Sequence, residues 1–169
     1  MHDPDPATVA RPLLPRVPPE RTAALVAAIR DRLPGLRLLT DPIDRESYRR
    51  DETAFLEAGL PGAVALPTTT AEVVELVRLA AAHRVPIVPR GAGTGLSGGA
   101  AGIEGGLTIA FTQMKRILEI DPANLTVTVQ PGIINAELKA AVAEHGLFYP
   151  PDPASYEQCS IGGNLGTNA

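Results

Sequence analysis

The sequence predicts an α+β fold, on three observations. A strand–helix–strand pattern lies between Ala63 and Val88, the signature of a βαβ unit with a parallel strand pair. A hairpin pattern follows between Arg116 and Gln130. Between them the chain is rich in glycine: half of its 16 glycines fall from Gly91 to Gly106.

The elements are justified in chain order. Residues 1–19 carry six prolines and little apolar periodicity, and read as a disordered leader. Residues 20–60 read as an N-terminal helical extension. Its helix runs from Glu20 to Leu33, with Leu25, Ile29 and Leu33 every four residues and Val26 beside them, and Pro34-Gly35 stops it. Residues 41–60, with Asp44, Arg45, Glu46, Arg49, Arg50, Asp51 and Glu52, read as a solvated connection with room for a short helix. The main domain is expected over residues 61–169. There Ala63–Leu66 reads as a buried strand, and Thr69-Thr70-Ala71-Glu72 fits a capping box. The helix it opens reaches about His83, with Val73, Leu76, Val77 and Ala80 on one face. Pro86-Ile87-Val88 and Leu107–Phe111 read as strands around a loop at residues 89–106. Arg116–Ile120 and Leu125–Gln130 flank the turn Asp121-Pro122-Ala123-Asn124. Asn135 is the expected N-cap of a helix containing Leu138, Ala141 and Val142 and closed by Gly146. Residues 149–169 show no helix or strand period. Because the sequence stops inside a glycine–asparagine loop, the domain is expected to be truncated at its C-terminus.

Composition narrows the function classes. Apolar residues make up 44% of the 169, enough for a core. A net charge of −4 argues against a nucleic-acid binder that tracks phosphates, and 4% aromatic residues without Trp argue against a base-stacking surface. With Cys159 as the single cysteine, an internal disulfide and a Cys-rich zinc site are excluded, and no metal site is expected. No apolar run is long enough for a bilayer, and Met1–Pro6 lacks the basic start and apolar stretch of a signal peptide. A cytoplasmic setting is the default.

The chemistry sits in Pro89-Arg90-Gly91-Ala92-Gly93-Thr94-Gly95-Leu96-Ser97-Gly98-Gly99. Closely spaced glycines let the backbone turn through positive φ and aim several amide N–H groups at one guest. Thr94 and Ser97 add hydroxyl donors, Arg90 is the fixed positive charge, and a diphosphate matches that donor set; the bland alternative is a floppy glycine hairpin. Gly93-x-Gly95-x-x-Gly98 also satisfies the dinucleotide fingerprint. That fingerprint requires a helix directly afterwards, and Gly99, Gly102, Gly105 and Gly106 oppose one. A Walker A loop fails because Gly99 stands where it needs Lys. Gly95-Leu96-Ser97-Gly98-Gly99 spells a nucleophile elbow, with Asp121 or Asp152 and His145 as candidate partners, but Ser97 lies far past the strand with no helix behind it. A second segment, stiff at Pro150-Pro151-Asp152-Pro153 and glycine-rich from Cys159 to Ala169, suggests that two stretches about sixty residues apart grip one extended cofactor.

Four motifs in order resemble one family: Pro67–Val73, Pro86–Gly99, Pro151-Asp152-Pro153 and Ile161–Ala169. They are similar to FAD-linked oxidases of the vanillyl-alcohol-oxidase/p-cresol-methylhydroxylase type, within it to the glycolate oxidase FAD subunit and to D-lactate and D-2-hydroxyglutarate dehydrogenases. The resemblance covers roughly residues 40–169. It implies a two-subdomain FAD-binding fold, a small βαβ subdomain plus the start of a larger mixed sheet, with FAD between them. It implies that Gly91, Ala92, Gly93, Thr94, Gly95, Leu96, Ser97 and Gly98, with Pro89 and Arg90, wrap the pyrophosphate. Pro151, Asp152, Ile161, Gly162, Gly163, Asn164, Thr167 and Asn168 would lie against the ribityl chain and flavin ring, and Gly132 would touch the cofactor. The implied reaction is oxidation of a 2-hydroxy acid to a 2-oxo acid by hydride transfer to flavin N5. The implied partners are that small-molecule substrate and an electron acceptor, a protein or a quinone; attachment at the inner membrane through a partner is left open.

In such families the substrate clamp and base lie further along the chain, so no catalytic residue is named and this stretch alone is expected to be inactive. Some relatives attach FAD through a His in the first loop, where this chain has Thr94; others use a Cys in the second segment, where Cys159 reads as a small packing residue. FAD is therefore expected to be held non-covalently. His83 and His145 fall at helix C-termini, a favourable place for an imidazolium, and His2 falls in the leader. The competing reading is a non-catalytic fragment, a split subunit or pseudoenzyme, that only binds FAD or a partner chain.

Overall fold

The computed structural model describes residues 16–169; most of the expected leader lies outside the described residues. Chain order is α1 (Pro19–Arg32), β1 (Arg37–Leu39), α2 (Pro42–Glu46), β2 (Ala63–Leu66), α3 (Thr70–His83), β3 (Ile87–Arg90), β4 (Leu107–Ala110), a 3-10 turn (Phe111–Gln113), β5 (Ile117–Asp121), β6 (Thr126–Val129), α4 (Asn135–Ala143) and α5 (Ile161–Thr167).

Helix α3 forms where its capping box places it. The Thr69 hydroxyl accepts the Glu72 N–H at 3.2 Å, and Glu72 Oε2 accepts the Thr69 N–H at 3.0 Å. Leu76 and Ala80 are buried, but Val77 is 45% exposed and Leu79 takes the packing position expected of it. The expected βαβ unit is present with a strand inserted: sheet order is β1-β2-β4-β3, and β2 and β3 each pair in parallel with β4 rather than with each other. β3 runs on through Pro89 and Arg90. Pro89 is tolerated because β3 is an edge strand, where a missing N–H breaks no ladder bond.

Alternation in β2 divides two packing faces. Ala63 and Ala65 face a core with Leu25 and Ile29 of α1 and Leu76 and Ala80 of α3. Val64 and Leu66 face a smaller cluster with Ala110, Leu39 and Tyr48. Residues 20–60 thus supply α1 to one face and β1, antiparallel to β2, to the sheet edge. β1 is not anticipated by the sequence. Val17, within the expected leader, is buried on the same core, and its N–H donates to the Glu104 carbonyl at 2.9 Å.

The second unit is the antiparallel hairpin β5–β6 packed on α4 and α5 around Ile133, Leu138, Val142 and Ile161. Its turn is made by Asp121, whose Oδ1 accepts the Ala123 and Asn124 N–H groups at 3.0 and 3.1 Å. Two expectations fail here. The N-cap of α4 is Ile134; Asn135 is the first helical residue and fully buried. Residues 161–167 form a helix despite three glycines. Its free N-terminal donors are met by Ser160 Oγ, which accepts the Gly163 N–H at 3.3 Å, and by the Ile133 and Pro131 carbonyls, which accept the Ile161 and Gly162 N–H groups at 2.9 and 2.8 Å. Asn168, at φ 53°, closes the helix in the left-handed conformation.

Candidate functional site

The loop between β3 and β4 contains no helix, so the strand-to-helix corner required by the dinucleotide fingerprint and by the nucleophile elbow is absent around Ser97. Gly93 and Gly98 sit at φ 84° and 78°, conformations that favour glycine. Among the described residues, no protein acceptor takes the backbone N–H of any residue from Ala92 to Gly99. Eight consecutive main-chain donors are therefore available to a guest.

The segment around residues 47–53 holds this loop in shape. Arg90 is buried, and its Nη1 donates to the Ala100 carbonyl at 2.9 Å and its Nη2 to the Ser47 carbonyl at 3.5 Å. Its guanidinium lies 5.8 Å from the centre of the Tyr48 ring. Burial pushes its pKa below the ordinary value, with Asp51 and Tyr48 working in the opposite direction. Asp51 Oδ2 accepts the Ala100 N–H at 3.3 Å, the Glu52 N–H donates to Gly95 at 3.0 Å, and the Gly102 N–H donates to Arg49 at 2.8 Å. A Cβ on Gly93 would lie 2.3 Å from Arg90 Nη2, so the loop closes over its own arginine. Arg90 thus shapes the loop from within.

The two glycine-rich segments meet at Gly91. A Cβ there would lie 2.2 Å from Ser160 Oγ and 3.8 Å from Gly163 Cα, so only a glycine lets them approach this closely. A cavity of about 190 Å³ opens at the junction, lined by Gly91, Ala92, Gly132 and Ser160, with Thr112, Lys115, Ile134 and Glu137 completing the wall. Gly132 is held by backbone: its N–H donates to the Met114 carbonyl at 2.7 Å, and a Cβ would lie 2.0 Å from the Phe111 carbonyl.

Of the residues expected from sequence, Gly91, Ala92 and Gly132 line this cavity. Gly93, Thr94, Gly95, Leu96, Ser97 and Gly98 follow Ala92 in the loop and are not on the cavity wall, with Leu96 74% exposed, and Pro89 is an exposed position of β3. Pro151 accepts a hydrogen bond from Asn135 Nδ2 at 3.3 Å. The Asp152 carboxylate pairs with Lys139 at 2.5 Å, and that ammonium also lies 4.9 Å from the Tyr156 ring centre. Ile161, Gly162, Gly163, Asn164 and Thr167 belong to α5, and Asn168 is its C-cap. Gly162 brings α5 against Pro131, where a Cβ would come within 2.7 Å of the proline's own Cβ. Asn164 is buried with its Nδ2 unpartnered among the described residues. Cys159 is buried.

Sequence reasoning missed Thr112, Lys115, Ile134, Glu137 and Ser160. Only Ser160 carried a readable signal, as a serine placed to cap a following helix. Unpaired loop amides, glycine approaches that a Cβ would block and a buried unpartnered amide together fit a phosphate-bearing cofactor with a polar ring system.

Comparisons with known proteins agree. A family model described as an FAD binding domain matches residues 61–169. Glycolate oxidase subunit GlcD of Bacillus subtilis (strain 168) is 51% identical over 122 residues, covering 72% of this chain and 26% of the relative. D-2-hydroxyglutarate dehydrogenase of Xanthomonas citri pv. viticola is 41% identical over 144 residues, covering 85% of this chain and 30% of the relative. Among solved structures, p-cresol methylhydroxylase with substrate bound matches with a TM-score of 0.70 at 21% identity, over 86% of this chain and 28% of that one, a likeness of fold. The chain spans less than a third of the length of these curated relatives.

Proposed function

Because this chain belongs to the family of FAD binding domains, we propose that it is the cofactor-holding part of an oxidoreductase that converts a 2-hydroxy acid of the glycolate or D-lactate type to its 2-oxo acid. FAD is the cofactor. The observation that carries the reading is the closure of the two glycine-rich segments at Gly91, against Ser160 and Gly163. The activities of two relatives, a glycolate oxidase subunit and a D-2-hydroxyglutarate dehydrogenase, support the substrate class.

When bound, the flavin supplies a two-electron acceptor, and the rest is the work of this chain in positioning it. The free amides from Ala92 to Gly99 are the donors for the anionic linker. Arg90 and Asp51 hold those amides in place before any ligand arrives, which lowers the ordering cost of binding. Asn164, with Nδ2 unpartnered among the described residues, and the Gly162–Gly163 pair are the groups for the ribityl and ring portion. Lys139 pairs with the exposed Asp152 carboxylate beside the Pro150–Pro153 stretch, which this reading sets against the flavin. Thr94, at the loop position where some relatives carry a linking His, and the burial of Cys159 support non-covalent binding. Among the described residues no helix is long and apolar enough to cross a membrane.

The test is a visible spectrum of the full-length protein carrying this chain, before and after glycolate, D-lactate or D-2-hydroxyglutarate is added. A flavin band bleached by one of these acids is expected. A purified, folded protein that neither carries nor takes up FAD overturns the proposal. The 169 residues alone are expected to show no turnover.

A further inference from the structure

We infer that Lys115 supplies the positive charge facing the anionic linker of FAD, an inference that rests on the FAD reading above. The loop's own cation is committed elsewhere. Arg90 is buried, donates to the Ala100 and Ser47 carbonyls, and is not on the cavity wall. Lys115 is on that wall with Gly91 and Ala92, from which the run of free amides begins. It is exposed, and among the described residues it pairs with no carboxylate.

Glu137 lines the same cavity. Its Oε2 accepts the Ile134 N–H at 3.3 Å, which keeps a carboxylate at the mouth of a site that would admit an anion. Glycine amides alone must overcome that repulsion. Lys115 balances it and leaves the net charge of the wall at zero before the ligand enters. A lysine suits the task because its ammonium offers three rotatable donors on a flexible stem and can follow either phosphate. The ordinary role for an exposed lysine, a solvated surface charge, predicts no effect on cofactor affinity.

The attraction acts in a partly enclosed cavity, so it is stronger than in bulk water yet still sensitive to salt over a Debye length of about 8 Å. The experiment titrates FAD into the full-length protein reversibly stripped of flavin, following flavin fluorescence at low and high ionic strength. Wild type, Lys115→Met and Lys115→Arg are compared, with riboflavin, which has no phosphate, as a second ligand. Lys115→Met is expected to weaken FAD binding about tenfold at low salt, with the loss shrinking at high salt, on the scale of one charge-assisted contact. Lys115→Arg is expected to restore most of it, and riboflavin affinity is expected to be the same in all three. FAD affinity of Lys115→Met within about twofold of wild type at low salt overturns the inference, as does an equal loss for riboflavin, which would mark a packing defect rather than a charge. If wild type binds FAD and the variant matches it, the role of Lys115 alone fails. If wild type binds neither ligand, the cofactor reading fails and takes this inference with it.

Discussion

Replacing Gly91 with Ala tests the contact on which the site is built. The new Cβ would lie 2.2 Å from Ser160 Oγ but 3.5 Å from Ser160 Cβ, so the collision is with one hydroxyl. Ser160 is 3% exposed, and that hydroxyl accepts the Gly163 N–H at 3.3 Å as the cap of α5. Relief requires Ser160 to turn away, which loses a cap worth about 1 kcal/mol and holds a side chain off its rotamer for about 1 more. Gly91 is not at positive φ, so alanine should recover roughly 0.5 kcal/mol by narrowing the unfolded ensemble. The net expectation for Gly91→Ala is a loss of about 1.5 kcal/mol. Ser160→Ala removes the same hydroxyl and costs about 1 kcal/mol as a lost cap. In that background the clash is gone, and Gly91→Ala should be neutral or stabilising by about 0.5 kcal/mol. The double variant should therefore be more stable than the Gly91→Ala single variant, with a coupling of about 2 kcal/mol. Urea unfolding of the four proteins, followed by circular dichroism, measures that coupling. Additivity within about 0.5 kcal/mol would refute the reasoning, because it would mean that Gly91 and Ser160 do not touch.

Two further outcomes follow from the same geometry. Gly132→Ala places a Cβ 2.0 Å from the Phe111 carbonyl and 2.8 Å from that of Met114; because both are backbone atoms that cannot swing aside, a loss of about 3 kcal/mol in urea unfolding is expected, and a loss below about 1 would contradict the placement. At Glu72, burial works to raise the carboxyl, but the Thr68 N–H and hydroxyl and the Thr69 N–H and hydroxyl outweigh it and hold the pKa below its ordinary 4.5. A folded pKa below the unfolded one contributes stability above pH 4.5 that fades as pH falls through the folded value. Glu72→Gln should therefore cost only roughly 0.5 kcal/mol at neutral pH, because solvent screens the exposed carboxylate and a glutamine can still accept at N3, and its difference from wild type should shrink in acid; a difference independent of pH would contradict the hydrogen-bonded carboxylate.

Legibility in the sequence followed how local the cause was. Helix α3 was readable because Thr69 and Glu72 satisfy each other across one turn. The glycine loop was readable because positive φ at Gly93 and Gly98 is a property of those residues themselves. β1 was not readable, since the strand character of Arg37–Leu39 comes from pairing with Leu66, Ala65 and Val64 of β2. Helix α5 was hidden for the same reason: its glycines disfavour a helix, and distant carbonyls at Pro131 and Ile133 hold its first turn. The insertion of β4 between β2 and β3 is likewise a matter of pairing, invisible to any periodicity. Thr112, Lys115 and Glu137 reach one cavity only after the hairpin and α4 pack together.

Arg90 has surroundings that the sequence did not show. Sequence logic puts an arginine beside a glycine loop to meet an anion, because that charge is the strongest local feature in the text. Folding buries it instead, since two carbonyls and the Tyr48 ring satisfy it and a glycine at position 93 leaves it room. A guanidinium that holds a loop rigid keeps the amides preorganised whether or not a ligand is present. Had it reached into the cavity, the loop would have been shaped only by its guest, and each binding event would bear the entropy of ordering eight free amides. Under the inference above, structural and electrostatic duties would be divided between two cations, Arg90 inside the loop and Lys115 on the cavity wall. The sequence singled out the glycine loop but not Lys115, because the wall that holds Lys115 beside Gly91 forms only when distant segments pack together.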